Sequence, residues 1–230
     1  MKVFVLAPNE NWILDRIANE WAAECPEVTT TDPNKADVIW LVSSFSWRKI
    51  PTRILEEKKV VATIHHVVVS KEVISQITKK PIHVIGYWYN DEIWRPASKD
   101  SARESLGLQN DKFIVGSFQR DTEGHDLKSP KLEKGPDLFF DYVNNNFDKK
   151  NTMVLLGGWR RQYLINRLEE TGIEYKYFEM APLEKLKTMY AACDLYVVSS
   201  RVEGGPQAIL ESAAMRVPIV STDVGMATAV

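Results

Sequence analysis

The 230-residue chain is 44% hydrophobic with a formal net charge of −2, the composition of an ordinary soluble protein of one large domain or two small ones. That balance argues against a general nucleic-acid or membrane-surface binder, while leaving room for a local basic pocket. Its two cysteines, Cys25 and Cys193, make neither a disulfide framework nor a metal-ligand set, and no apolar run reaches the ~20 residues of a membrane helix, so the expected location is the cytoplasm, with peripheral membrane attachment as the alternative.

Residues 2–6 read as a strand, 12–24 as an amphipathic helix, 38–42 and 60–64 as strands, 71–79 as a helix and 82–85 as a strand. Residues 88–99, with Pro96 among polar neighbours, read as a linker. The boundary is therefore set near Arg95, with domains 1–95 and 96–230. A short helix at 102–106 follows, and strands at 113–117, 152–156, 174–178, 195–199 and 219–222 then alternate with helices at 136–147, 160–170, 183–192 and around Glu211. Such alternation predicts an α/β fold, a parallel sheet with helices on both faces, and ligands at the carboxyl ends of the strands.

The run from Ser200 to Met215 carries the strongest functional signal. Around Glu211 stand Ala208, Ile209, Leu210, Ala213, Ala214 and Met215, which leave the helix almost no polar face and predict its burial. A buried carboxylate needs a partner, so Glu211 is expected to face a cleft and bind a polar ligand rather than sit on a helix surface. Gly204-Gly205-Pro206 forms a turn into that helix, with Pro206 expected at its first position, and its exposed N–H groups and helix dipole favour an anion such as a diphosphate. A Gly-Gly-Pro turn alone is weak; Glu203 and Glu211 on either side give it weight.

Arg120 follows the strand at 113–117, and Lys134 precedes Gly135-Pro136 at the next helix. Both cations at strand-end loops suit a phosphate clamp, the Arg as a fork and the Lys as a point charge, although singly each is no more than a solvated surface cation. The loop 121–133, with His125 and Asp126, reads as a mobile flap without metal-site spacing. Trp159 and Arg160 either line a pocket or cap the next helix, and the structural role is expected of Trp159.

The stretch from Cys193-Asp-Leu-Tyr-Val-Val-Ser-Ser through Glu203 and Glu211 to Pro218-Ile-Val-Ser-Thr-Asp-Val-Gly225 resembles the retaining family-4 glycosyltransferases of the GT-B fold, whose mark is two Glu separated by seven residues. The resemblance continues through Met153-Val-Leu-Leu-Gly-Gly158, Lys134-Gly135, Val115-Gly-Ser-Phe-Gln-Arg120 and, more loosely, Val84-Ile-Gly-Tyr-Trp-Tyr-Asn90. It implies two Rossmann-like domains, the first on the acceptor side and the second binding a nucleotide sugar. It further implies that Arg120 and Lys134 hold the donor diphosphate, that Glu203 with the Gly204 and Gly205 amides meets the transferred sugar, and that Glu211 holds the ribose. The loop at Glu179 and Met180 would read the base, and His65, with His66 behind it, would face the donor sugar. The implied reaction is sugar transfer with retention to a glycan, lipid-linked or protein acceptor; no cofactor is expected, and no metal, since the chain has no Asp-x-Asp pair.

The chain departs from the family at Pro8-Asn9-Glu10-Asn11-Trp12, where relatives carry a glycine-rich turn, and it stops at Val230. The second domain is thus expected to be incomplete at its C-terminal end, with an unpaired edge open to self-association. Two other readings stand beside the transferase: a non-catalytic nucleotide-sugar-binding or interaction module, and another GT-B chemistry such as epimerisation or phosphorolysis.

Overall fold

The structure is a computed structural model in which residues 1–10, 13–63, 86–225 and 227–229 are described. The chain forms two compact units, Met1–His66 and Val67–Val230. This division falls before the sequence boundary at Arg95. The segment preceding Arg95 is no free linker, because Trp94 is buried in the second unit's core and meets the Tyr190 ring edge-on at 5.6 Å. The expected helix at 71–79, the strand at 82–85, His65 and His66 lie outside the described residues.

In the first unit, β1 (Val3–Leu6), β2 (Thr29–Thr30), β3 (Val38–Leu41) and β4 (Lys59–Ala62) form a parallel sheet in the order β2-β1-β3-β4. Helix α1 (Ile13–Glu24) connects β1 to β2, and the short α2 (Thr52–Glu57) precedes β4. Ile39, Leu41, Ile50 and Ile54 close a small core. Beyond the end of β1, Asn9 takes the left-handed conformation, with φ of 62°, which asparagine tolerates better than most residues. Asp15 in α1 accepts the Asn9 and Glu10 amides at 2.7 and 2.6 Å, which holds that turn.

Among the described residues, the elements of the second unit run from α3 (Lys99–Leu106) through β5 (Phe113–Ser117), a two-stranded hairpin of β6 (Thr122–Glu123) and β7 (Ser129–Pro130), and α4 (Pro136–Asn146). It goes on through β8 (Thr152–Gly157), α5 (Gln162–Thr171), β9 (Glu174–Phe178), α6 (Leu183–Ala192), β10 (Leu195–Val198), α7 (Gln207–Ala214) and β11 (Ile219–Ser221). Its five main strands are all parallel, in the order β11-β10-β5-β8-β9.

Alternation along the strands builds two layers of core. Ile114, Met153, Leu155, Tyr196 and Val198 point to one face, against α3, α6 and α7, while Val115, Val154, Leu156, Leu195 and Val197 point to the other, against α4 and α5. Below the sheet, buried Arg103 bonds the Ala192 carbonyl at 3.0 Å and Asp194 at 2.5 Å, and Asp194 also accepts the Ile114 amide at 2.8 Å, so α3 is tied to the amino ends of β5 and β10.

Counted from β5, its first described strand, the second unit has the doubly wound order, in which strands are added first on one side of β5 and then on the other, so the strand order reverses between β5 and β10. A crevice opens at such a reversal, beyond the carboxyl ends of the two strands. Arg120, Lys134 and Glu203 all follow from those strand ends. The fold class is α/β with Rossmann-like parallel sheets, as the sequence led us to expect.

Candidate functional site

The loop after β5 and the loop after β10 meet at glycine. Gly135 has φ of 57°, and a Cβ placed on it would stand 1.8 Å from the Ser199 carbonyl oxygen, so only glycine allows this approach. Above that contact, Arg201 and Val202 donate their amides to the Glu133 carbonyl at 2.8 and 3.2 Å. The Arg201 guanidinium bonds both carboxylate oxygens of Asp137 at 2.7 and 2.6 Å and the Leu132 carbonyl at 2.9 Å. Hydrogen bonding from Arg201 holds the Asp137 carboxyl below the usual range, against a smaller upward pull from burial.

These ties place Lys134 opposite Glu203. Lys134 Nζ lies 2.5 Å from Glu203 Oε1, which also accepts Ser200 Oγ at 3.0 Å. The Lys134 carbonyl in turn accepts Gln119 Nε2 at 3.0 Å and Ser199 Oγ at 3.2 Å, which fixes the backbone from which the lysine projects. Both side chains are partly open, at 24% and 16% of full exposure, so an incoming ligand can reach the pair. Tyr87 stands nearby: burial, then the Glu203 charge, pushes its phenol up to about 12.

Beyond Glu203, the Gly204-Gly205 turn packs on Gly225. A Cβ on Gly225, whose φ is 55°, would sit 2.8 Å from the Gly204 oxygen, which explains a glycine near the end of the run Asp223-Val-Gly225. Pro206 is the N-cap of α7 rather than its first helical residue, which is Gln207. Glu211, on that helix, is 4% exposed and accepts the Tyr190 hydroxyl at 2.8 Å on Oε2. It is therefore the buried carboxylate of the sequence reading and no surface residue, and part of its partner set comes from the chain itself. Burial first, then the Glu211 charge, raises the Tyr190 phenol well above its ordinary value, so the tyrosine stays protonated as a donor.

Arg120 leaves the end of β5 toward a neighbouring part of the rim. Its Nε bonds the Thr122 carbonyl at 2.9 Å, and its guanidinium carbon lies 5.0 Å from the Trp159 ring centroid. No hydrogen bond or ion pair joins it to Lys134 or Glu203 among the described residues. Glu179 and Met180 follow β9, two strands away from β5, and are exposed, Met180 with φ of 44°. They likewise make no described bond to the Lys134 and Glu203 group.

Several residues of the site had no distinguishing mark in the sequence. Arg161 is fully buried: its Nε meets Asp121 Oδ2 at 2.6 Å, and its Nη groups bond the Ser117 and Gly157 carbonyls at 2.6 and 2.5 Å and Ser117 Oγ at 3.0 Å. It staples the carboxyl ends of β5 and β8 beside Arg120, yet two adjacent arginines after a strand do not reveal which one is inside. The expected flap at 121–133 instead carries the β6–β7 hairpin and buried Asp121. Trp159 does not cap α5, whose N-cap is Arg161; it is 42% exposed and carries the two neighbouring guanidinium groups. Among the described residues no cluster of three His, Cys, Asp or Glu could hold a metal ion, and no helix is long and apolar enough to cross a membrane.

Comparison with known proteins bears on the family and the fold. Over 138 residues the chain is 28% identical to the lipopolysaccharide core biosynthesis mannosyltransferase LpsB of Rhizobium meliloti, covering 56% of this chain and 37% of that protein. Over 210 residues it is 26% identical to the mannosylfructose-phosphate synthase of Agrobacterium fabrum, covering 85% and 45%. The chain thus spans less than half the length of either curated relative. The crystal structure of Anabaena Alr3699/HepE in complex with UDP superposes with a TM-score of 0.74 at 13% identity, covering 100% of this chain and 82% of that one, a likeness that shows the fold. Residues 99–230, more than half of the sequence and the whole of the doubly wound sheet, match the family Glycosyl transferases group 1. The chain belongs to the Glycosyl transferases group 1 family.

Proposed function

We propose that the protein transfers a sugar from a nucleotide-sugar donor to an acceptor, with retention of anomeric configuration and without a divalent metal. The observation that carries this reading is the Lys134 and Glu203 pair, a cation and a carboxylate 2.5 Å apart at the reversal point of a doubly wound sheet. A nucleoside diphosphate sugar has the matching polarity along its length, anionic at the phosphates and hydroxyl-rich at the sugar. The relative of known structure was crystallised with UDP, which supports this donor class.

In this reading Lys134 and Arg120 hold the diphosphate, and Glu203 with the amides of Gly204 and Gly205 orients the transferred sugar. Glu211, steadied by Tyr190, meets the ribose, and the backbone at Glu179 and Met180 borders the base. As the bond between the anomeric carbon and the phosphate oxygen breaks, negative charge collects on the leaving phosphate, where two preorganised cations lower the barrier. The acceptor hydroxyl bonds the anomeric carbon from the same face, and its proton passes to the departing phosphate oxygen.

A panel of nucleotide sugars assayed by thermal shift identifies the donor, since a ligand bound only to the folded state raises Tm. Incubation of the stabilising donor with glycan, lipid-linked and protein acceptors, in the presence of a chelator, then checks transfer, and the anomeric configuration of the product checks retention. Stabilisation without transfer to any acceptor would favour the binding-module reading. No stabilisation by any nucleotide sugar would remove the donor reading itself.

A further inference from the structure

Two guanidinium groups share one exposed ring at the carboxyl ends of β5 and β8. The guanidinium carbons of Arg120 and Arg160 lie 5.0 and 4.4 Å from the Trp159 ring centroid, and the indole is 42% exposed. Like charges gathered on one ring repel, and the face of an indole offsets that repulsion through its quadrupole. Neither arginine has a carboxylate partner among the described residues, whereas Arg103, Arg161 and Arg201 pair with Asp194, Asp121 and Asp137. Arg120 engages the protein through Nε on the Thr122 carbonyl at 2.9 Å, and Arg160 through Nη1 on the Gly124 carbonyl at 3.2 Å. Their other N–H groups have no protein acceptor among the described residues.

The backbone beneath is built to hold this arrangement. Arg160 has φ of 55°, an uncommon conformation for so long a side chain, and its carbonyl accepts the Asp121 and Thr122 amides at 3.2 and 3.1 Å. The preceding Gly158 has φ of 92°, and its carbonyl accepts the Tyr177 hydroxyl at 2.9 Å. A tight glycine turn, a left-handed arginine and the buried Arg161 thus fix the backbone from which Trp159 and Arg160 project.

We propose that Arg120, Trp159 and Arg160 form one anion-binding unit that takes a pyrophosphate-class ligand, with the indole of Trp159 as the positioning residue that holds the Arg120 fork. This deepens the donor reading above and rests on it for the identity of the anion. Guanidinium forks match phosphate oxygens geometrically, and two of them on one rigid ring favour a ligand with two linked phosphates over one with a single phosphate.

Calorimetric titration of the full chain with inorganic pyrophosphate, and with inorganic phosphate as the comparison, tests the unit without assuming a base or sugar. Pyrophosphate should bind more tightly than phosphate. Trp159→Leu should weaken pyrophosphate by about two- to five-fold, and Trp159→Phe, which keeps an aromatic face, should retain most of the affinity. Arg160→Gln should weaken it by about ten-fold and flatten its salt dependence. Where Trp159→Leu fails to fold, Arg160→Gln at a partly exposed side chain carries the test.

Pyrophosphate that does not bind, or that binds equally to wild type, Trp159→Leu and Arg160→Gln, overturns the proposal. Pyrophosphate affinity that falls in the variants while no nucleotide sugar binds wild type would sustain the anion unit and remove the donor reading. Nucleotide-sugar binding by wild type, with pyrophosphate affinity unmoved by the variants, would do the reverse.

Discussion

Lys134 Nζ and Glu203 Oε1 stand 2.5 Å apart across the two loops that Gly135 brings together. Opposite charges assigned to opposite ends of the donor thus neutralise each other directly. A diphosphate oxygen that bonds Lys134 must share its ammonium with Glu203 or displace it.

The two residues should therefore respond in opposite directions. Lys134→Ala removes a charge-assisted hydrogen bond and leaves Glu203 facing the phosphates, so nucleoside diphosphate affinity should fall roughly ten- to a hundred-fold. Glu203→Gln removes a competing charge and should strengthen bare nucleoside diphosphate by a few-fold, on the order of 1 kcal/mol, while weakening sugar-bearing donors. Calorimetry with both ligand types reads the difference. Two variants with the same donor profile as wild type would take the pair out of the site.

Gly135→Ala should lose both stability and diphosphate binding. Its new Cβ would meet the Ser199 oxygen at 1.8 Å in a left-handed conformation, so the loop carrying Lys134 must move. Gly172→Ala is the matched control: φ is 69° and nothing lies within 4 Å, so it should cost only the backbone strain, about 1–2 kcal/mol, and leave affinity alone. Urea denaturation and calorimetry on both variants make the comparison, and equal effects on binding would count against Gly135 as the hinge of the site.

Arg161 and Asp121 form a fully buried ion pair, at 0% and 2% side-chain exposure. Replacement of either partner alone, Arg161→Leu or Asp121→Ala, strands the other charge and should cost about 3–5 kcal/mol in denaturant unfolding. The double replacement should cost less than the two single losses added together, because the stranded charge is gone. Strict additivity would show that the two side chains do not act as a pair.

Acid stability should depend on Asp194. Burial pulls its carboxyl up, but bonds from Lys99, the Ile114 amide and Arg103 outweigh this and leave it below the ordinary value. A carboxyl depressed in the folded state adds stability that is complete above its unfolded value, about 3.9, and is lost as pH falls toward the folded value. Wild type should thus lose stability below about pH 4, and Asp194→Asn should be less stable at neutral pH with a shallower acid limb. Parallel acid limbs in the two proteins would contradict the assignment.

The alternation of strands and helices over the second half and the buried helix around Glu211 were legible from residue order. Each is local: periodicity reports which faces are apolar, and Gly and Pro mark the turn that enters α7. Their partners were not legible. Nothing local distinguishes Arg161, which lies inside, from Arg160, which lies at the rim, or reveals that Tyr190 on one helix donates to Glu211 on another. Trp159 showed the same limit, since an isolated Trp carries no sign of which charges will be packed onto it.

The sequence alone determined the α/β class and the alternation of the five parallel strands with their helices in the second half, though not the β6–β7 hairpin between them. Tertiary structure alone decided which side chains meet. Strand order placed β5 beside β10, the close approach at Gly135 set Lys134 against Glu203, and the buried Arg161 left Arg120 and Arg160 together on one ring. The physical reason is range: backbone propensity and burial act within a few residues, whereas a charge finds its partner only after the chain has brought distant loops together.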